Sequence, residues 1–347
     1  RWGIIPNPDS TPTNGEPARL IVPNVGLALA TPGGVIAGPP PLSGITFGPN
    51  GSVSRLAYGS LYSGLYMSGG NGGSFSDNES LKPPVERWNI YSKMSFDLTD
   101  HVTAYAEASL ANSQTASGLV EWPNIASINR AADNAYLPAS VRNLMVTNGI
   151  GGFAMGRIND DFGPIVAAVR SDTWRGVAGL KGSLAGDWTW DAYAERGQSV
   201  IRNSLYGNEL VNNFNDAVDA VVNPATNAIV CRSTLTNPTN GCVPLNTFGQ
   251  GSTTRAAFNY VTATQLQLSH RTQSVAAVSA RGTAFSDWAG PVSAAVGAEY
   301  RDEKVETRVD PNSAAGAFII GNPQSLGGSY NVKEAFIESV APLLANA

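Results

Sequence analysis

A chain of 347 residues with 42% hydrophobic but only 14% charged residues is long enough for two ordinary domains or one large β architecture, and its 37 glycines disfavour a helix-rich cytosolic enzyme. A formal net charge of −5 provides no basic stripe to track phosphates, which sets nucleic-acid binding aside. No run approaches the roughly 18 consecutive apolar residues of a transmembrane helix, and the opening "RWGIIPNPDS" lacks both an initiator Met and a signal-peptide apolar core, so the chain reads as a piece of something longer.

In chain order, residues 1 to about 85 are rich in Gly and Pro and do not alternate. "PNG" between Phe47 and Val53 predicts a small hairpin within an otherwise long loop region. The run "YGSLYSGLYMSGGNGGSF" has no phosphate-loop Lys; Tyr58, Tyr62 and Tyr66 could stack on a ligand, with ordinary loop packing the commoner role for any one of them. From residue 86 the pattern changes. Trp88, Ile90, Met94, Phe96 and Leu98 share one face of a strand, and after "LTDH" Val102, Ala104, Ala106, Ala108 and Leu110 oppose Thr103, Tyr105, Glu107 and Ser109. A second hairpin runs from about Thr173 to Leu184 and from Trp188 to about Arg202. A third spans about Gln265 to Phe285 and Val292 to Thr307, and "YNVKEAFIESVAPL" is a seventh strand.

Between these hairpins lie long connections, at about 115–168, 203–262 and 308–328. Short turns at one end and long loops at the other are rare in compact soluble domains and are the habit of outer-membrane barrels. Within the connections, "YLPASVRNLMVTNG" predicts a helix with Pro138 in its first turn and Gly149 at its end. "NELVNNFNDAVDAVVNP" predicts another, with Leu210, Phe214, Val218 and Val221 on one face and Pro224 beyond it; both are expected as short surface helices. The two cysteines, Cys231 and Cys242, flank a turn-rich stretch and are expected to form a disulfide in an oxidising compartment. Neither His101 nor His270 lies near them, so no metal site is expected.

The stretch "GLKGSLAGDWTWDAYAERGQ" raises the question of which solvent the sheet faces, and the asymmetry of short turns and long loops is the strongest evidence for the answer. Trp188, Trp190, Ala192 and Ala194 form one apolar face, but a soluble sandwich would fill such a face with Val, Ile, Leu and Phe. Lipid asks only for apolarity, so alanine suffices, and indoles beside the turn suit an aromatic girdle. The reading is therefore an all-β, antiparallel transmembrane β-barrel segment of about seven strands, an incomplete barrel with short periplasmic turns and long extracellular loops. Residues 1–85 would be extracellular loop and 86–347 the partial barrel. Trp188, Trp190 and Trp288 would mark the periplasmic interface, while Lys93, Glu107, Arg175, Lys181, Asp191 and Glu195 would face the lumen. A soluble β-sandwich is the bland alternative, and a β-helix adhesin ranks last because no short repeat is visible.

The segments "NAYLPASVRNLMVTNGIGGFAMGRINDDFGP", "VNPATNAIVCRSTLTNPTNGCVPLNTFG", "FSDWAGPVSAAVGAEYRDEKV" and "YNVKEAFIESVAPL" resemble the barrel region of TonB-dependent outer-membrane receptors, especially those of sphingomonad-type Gram-negative bacteria. The resemblance spans about residues 85 to 347. It implies an interior slice of a barrel of about 22 strands, located in the cell outer membrane, with outer-membrane lipid, the receptor's own plug domain and remaining strands, and TonB as partners. The function implied is active import of a scarce small-molecule ligand such as a siderophore, cobalamin or an oligosaccharide. A passive porin-like channel and a soluble, surface-attached β-rich binding protein are the alternatives. Neither a cofactor nor catalysis is expected: no nucleophile motif surrounds either histidine, and Asp160-Asp161 or Asp302-Glu303 could work as a glycosidase pair only if they faced one another. Solvated loop charge or a weak calcium site is the commoner explanation for such carboxylates.

Overall fold

A computed structural model describes residues 2–74, 82–119 and 123–344. Strand makes up 57% of the structure and helix 12%, which places the chain in the all-β class. Seven long strands follow one another as an antiparallel meander: β1 (Val85–Thr99), β2 (Val102–Gly118), β3 (Val166–Ser183), β4 (Thr189–Glu209), β5 (Thr262–Ser286), β6 (Pro291–Val309) and β7 (Leu326–Val340). β1 and β7 each pair on one side only, so the sheet does not close among the described residues.

The three short turns fall where turn chemistry places them. The strands run further into the connections than alternation predicts, with β2 reaching Gly118, β3 starting at Val166 and β4 reaching Glu209. Their far ends carry polar residues on both faces, as in Asn112-Ser113-Gln114-Thr115, so the period-two signal fades while the hydrogen-bonded ladder continues.

Register fixes the faces. Phe96 pairs with Ala104, then in turn come Leu180, Ala192, Val278, Ala298 and Ala335, all on one side of the sheet. One residue along, Ser95, Tyr105, Gly179, Tyr193, Ala277, Glu299 and Glu334 share the other. Several cross-strand pairs join a glycine to an aromatic ring. Tyr105 lies over Gly179, Phe336 over Gly297 and Trp190 beside Gly182, each within reach of where a glycine Cβ would stand. These rings cover backbone that the glycines leave bare.

Residues 2–74, expected as a loop with one small hairpin, are more ordered than that. The hairpin around "PNG" is present, pairing Ile45–Phe47 with Val53–Arg55. It belongs to a five-stranded sheet ordered Pro123–Ala131, Gly152–Ile158, Val35–Gly38, Ile45–Phe47, Val53–Arg55, so the first connection and the N-terminal region fold together. The expectation of loop failed because these strands are three to nine residues long and are completed by partners about a hundred residues away.

Three helices close this cap: α1 (Ala139–Thr147), α2 (Val211–Val218) and α3 (Arg255–Val261). Pro138 is the residue before α1 rather than inside its first turn, and Gly149 follows the helix at φ 64°, where glycine costs least. The second helix is shorter than expected. It stops at Val218, and Ala220–Val222, including Val221, pairs as a strand with Ile229–Cys231, which leaves Pro224 in the turn between them. Neither of these helices is a surface feature. Val141 and Met145 of α1 and Phe214, Ala217 and Val218 of α2 are buried with Ile36, Leu42, Phe47, Phe153, Met155 and Phe248 in one core. At about 1.5–3 kcal/mol per large apolar side chain, that burial outweighs the weak intrinsic stability of helices this short.

Candidate functional site

The six charged residues expected on one face are on one face. Lys93 Nζ donates to Glu107 at 2.7 Å, Arg175 reaches Glu107 at 3.6 Å and Glu195 at 2.7 Å, and the Tyr105 hydroxyl donates to Asp191 at 3.1 Å. Lys181 stands in the same row as Thr103 and Asp191. The ladder continues through residues outside the expected lumen-facing set. Glu299 and Glu334 bracket Arg301 at 3.3 and 3.5 Å, while Glu303 accepts from Gln273 at 3.0 Å and from the Tyr330 hydroxyl at 2.7 Å. Parity would have found them, since each lies an even number of places from Lys93's row once the register is known.

At the centre of this charged surface Gly197 contributes no side chain, and a cavity of about 620 Å³ opens there between Arg175, Glu195, Gln273, Glu303 and Tyr330. Half-exposed ion pairs stabilise a fold little. A dense, mutually neutralised network of this kind is suited to lining water or meeting a polar partner.

Of the three indoles expected at an interface, one lies on the opposite face and two lie in turns. Trp190 points to the alanine side, Trp188 sits in the turn with its indole N–H donated to the Thr283 carbonyl at 2.9 Å, and Trp288 in the third turn is 81% exposed. Tyr58 and Tyr62, offered as ligand platforms, tilt against each other with ring centres 5.1 Å apart, and Tyr66 is half-buried. They therefore present edges to each other and not one flat platform.

The carboxylate pairs do not form glycosidase geometry. Asp302 and Glu303 are neighbours on a strand and point to opposite faces. In the cap, Arg157, fully buried, donates to Asp161 at 2.7 Å and Asp160 accepts from Gln250 at 2.7 Å. Burial alone would raise the Asp161 carboxyl, but the Arg157 hydrogen bond and charge outweigh it and hold it below the usual range; Asp160, without such a partner, is raised by burial. No group of three or more His, Cys, Asp or Glu able to hold a metal lies among the described residues.

Cys231 and Cys242 form the expected disulfide, with Cα atoms 6.1 Å apart. Arg232, next to it, binds Asp133 at 2.7 Å and Asp219 at 2.9 Å, tying the first long connection to the second. At the top of β4, Glu209 is buried with one long hydrogen bond, 3.5 Å from Asn124, and burial pushes its carboxyl up to about 7. No helix among the described residues is long and apolar enough to cross a membrane, which says nothing about crossing by strands. No family model and no curated protein matches the chain.

Proposed function

We propose that the chain forms part of the wall and the cap of an outer-membrane active-transport receptor of the TonB-dependent kind, with the alanine-rich face toward lipid and the charged face toward the lumen. The observation that carries this reading is the edge of the apolar band. The first polar residue above it is Asn112 in β2, Asp172 in β3, Arg196 in β4, Ser274 in β5, Asp302 in β6 and Lys333 in β7. Followed through the register, that edge descends six residues over five strand-to-strand steps. With ~3.4 Å per residue and ~4.8 Å per step, the inclination is about 40°.

The turns are staggered in the same sense. Val102, beside the first turn, aligns through Gly182 and Trp190 with Ala280, six positions before the third turn begins after Ser286. A flat slab crossed by strands tilted 35–45° produces such a boundary. The band covers Val102–Leu110 in β2 and runs from Trp174 to Leu184, one residue past the end of β3, in line with the roughly 9–11 residues of a transmembrane strand, and it is shorter at β4, from Trp188 to Ala194. Above it the longer strands rise into the cap, which would stand outside the cell, where a disulfide persists. The remaining strands, a plug, TonB and a scarce small-molecule ligand complete this proposal as partners.

Nitroxide labels at single cysteines, in a Cys231→Ser/Cys242→Ser background reconstituted into liposomes, test it. Positions 178, 192 and 278 are expected to be relaxed by dissolved oxygen, and 193 and 195 by a water-soluble nickel complex. Equal nickel access on both faces would overturn the membrane reading. Ligand uptake by cells carrying the full-length receptor, with and without an energised inner membrane, separates active import from passive passage.

A further inference from the structure

The cap contains a buried cation with no carboxylate bound to it. Arg130 follows Ile128 on the inward side of its strand, directly opposite Phe153, and is 3% exposed. Its guanidinium donates to the Asn129 carbonyl at 2.9 Å and to the Thr247 hydroxyl at 2.8 Å, and sits 6.0 Å from the centre of the Phe248 ring. Its Nε has no partner. Charges this deep are ordinarily paired, because desolvation costs several kcal/mol that neutral acceptors only partly offset.

The neighbouring charges do not supply the missing anion. Asp219 attracts Arg130 at longer range, but both of its oxygens accept from Arg232, which Asp133 holds from the other side. Arg157 repels Arg130 and keeps its own carboxylate, Asp161. Arg130 is among the residues lining a cavity of about 780 Å³, whose lining also includes Asp219, its carboxylate held by Arg232, and Ser127 and Asn215, both exposed and therefore at its mouth.

We propose that this cavity binds a small oxyanion-bearing ligand, a carboxylate or a phosphate, with Arg130 as the buried cation and Ser127 and Asn215 as hydrogen-bonding groups at the entrance. Two neutral acceptors leave the guanidinium with donor capacity to spare, and Arg is the side chain best suited to binding such groups. The competing explanation is that Arg130 is a structural pin joining its strand to Thr247. The proposal stands on the cap alone and does not depend on what covers the long sheet.

The two explanations part on Arg130→Met. The full chain in detergent micelles is titrated calorimetrically with inorganic phosphate and, separately, with succinate, against chloride at matched ionic strength, and thermal unfolding is followed in each. For a ligand site, at least one oxyanion saturates and raises Tm, and which one does so identifies the source of the group. Arg130→Met then keeps or raises the ligand-free Tm while weakening binding by at least about tenfold, and Asn215→Ala weakens it severalfold. Binding no better than chloride, undiminished binding by Arg130→Met, or a ligand-free Tm that falls as far as in Phe248→Ala or a failure to fold would each overturn the proposal.

Discussion

The long sheet and the cap use the same antiparallel pairing yet hide their apolar residues in opposite ways. In the cap, Ile36, Leu42, Met145 and Met155 are no more than 1% exposed, and buried side chains from four stretches of chain meet there. On the sheet, Met94 is 70% exposed, Phe96 71% and Ile337 80%. The difference teaches where each region obtains its apolar surroundings. The cap makes its own, whereas the sheet leaves its apolar face uncovered among the described residues, and on the proposed reading lipid would cover it.

The contrast can be broken first at Phe248, whose ring meets Phe47 at 5.0 Å and Phe153 at 6.4 Å. Phe248→Ala is expected to cost about 3–5 kcal/mol, measured by denaturant unfolding with protease protection of the cap as a second probe; a loss as small as a surface substitution would mean the cap has no cooperative core. On the sheet, Ala192→Arg is expected to cost about 2–4 kcal/mol in bilayers near the midplane, and Tyr193→Arg less. Equilibrium unfolding into liposomes ranks the two, and the reverse order would show that the faces are assigned backwards. Removing the disulfide with Cys231→Ser and Cys242→Ser should cost about 2–3 kcal/mol for so short a loop, seen as a lower Tm that reductant no longer changes.

The smallest effect sharpens the boundary between the regions. Because the Glu209 carboxyl titrates higher in the folded chain than in the unfolded one, its contribution is fully present below the unfolded value and lost as pH rises through about 7. Stability should therefore fall by about 2 kcal/mol between pH 5 and pH 8 on this account. Glu209→Gln should flatten that slope in paired melts; an unchanged slope would assign it to other groups.

How much of this was legible in the sequence differs between the same two regions. Strand existence, the three turns and the shared side of Lys93, Glu107, Arg175, Lys181, Asp191 and Glu195 all follow from period-two alternation, because each strand pairs with its neighbour in sequence. The upper strands were not legible, since polar residues on both faces erase the alternation. The cap was hidden for another reason. Arg130 meets Thr247 and Asn124 meets Glu209 across separations of 117 and 85 residues, and no local pattern announces a partner so distant. Val221 shows the same failure on a smaller scale, since its helical spacing was overridden by a strand partner at Val230.

α3 ends at Val261 and β5 begins at Thr262, whose hydroxyl still bonds the Phe258 carbonyl. Beside it β4 ends at Glu209, paired with Thr262, and α2 starts at Val211. The two central strands thus pass into buried helices with scarcely a residue between. Their register shifts between Leu205 and Asn208, where Gly207 stands at φ 74°, and beyond that bulge a force that slides β4 against β5 bears directly on the packing of Phe214, Ala257 and Val261. Mechanically, a displacement of these two strands at the short-turn end would reach the cap's core through that bulge and the two helices.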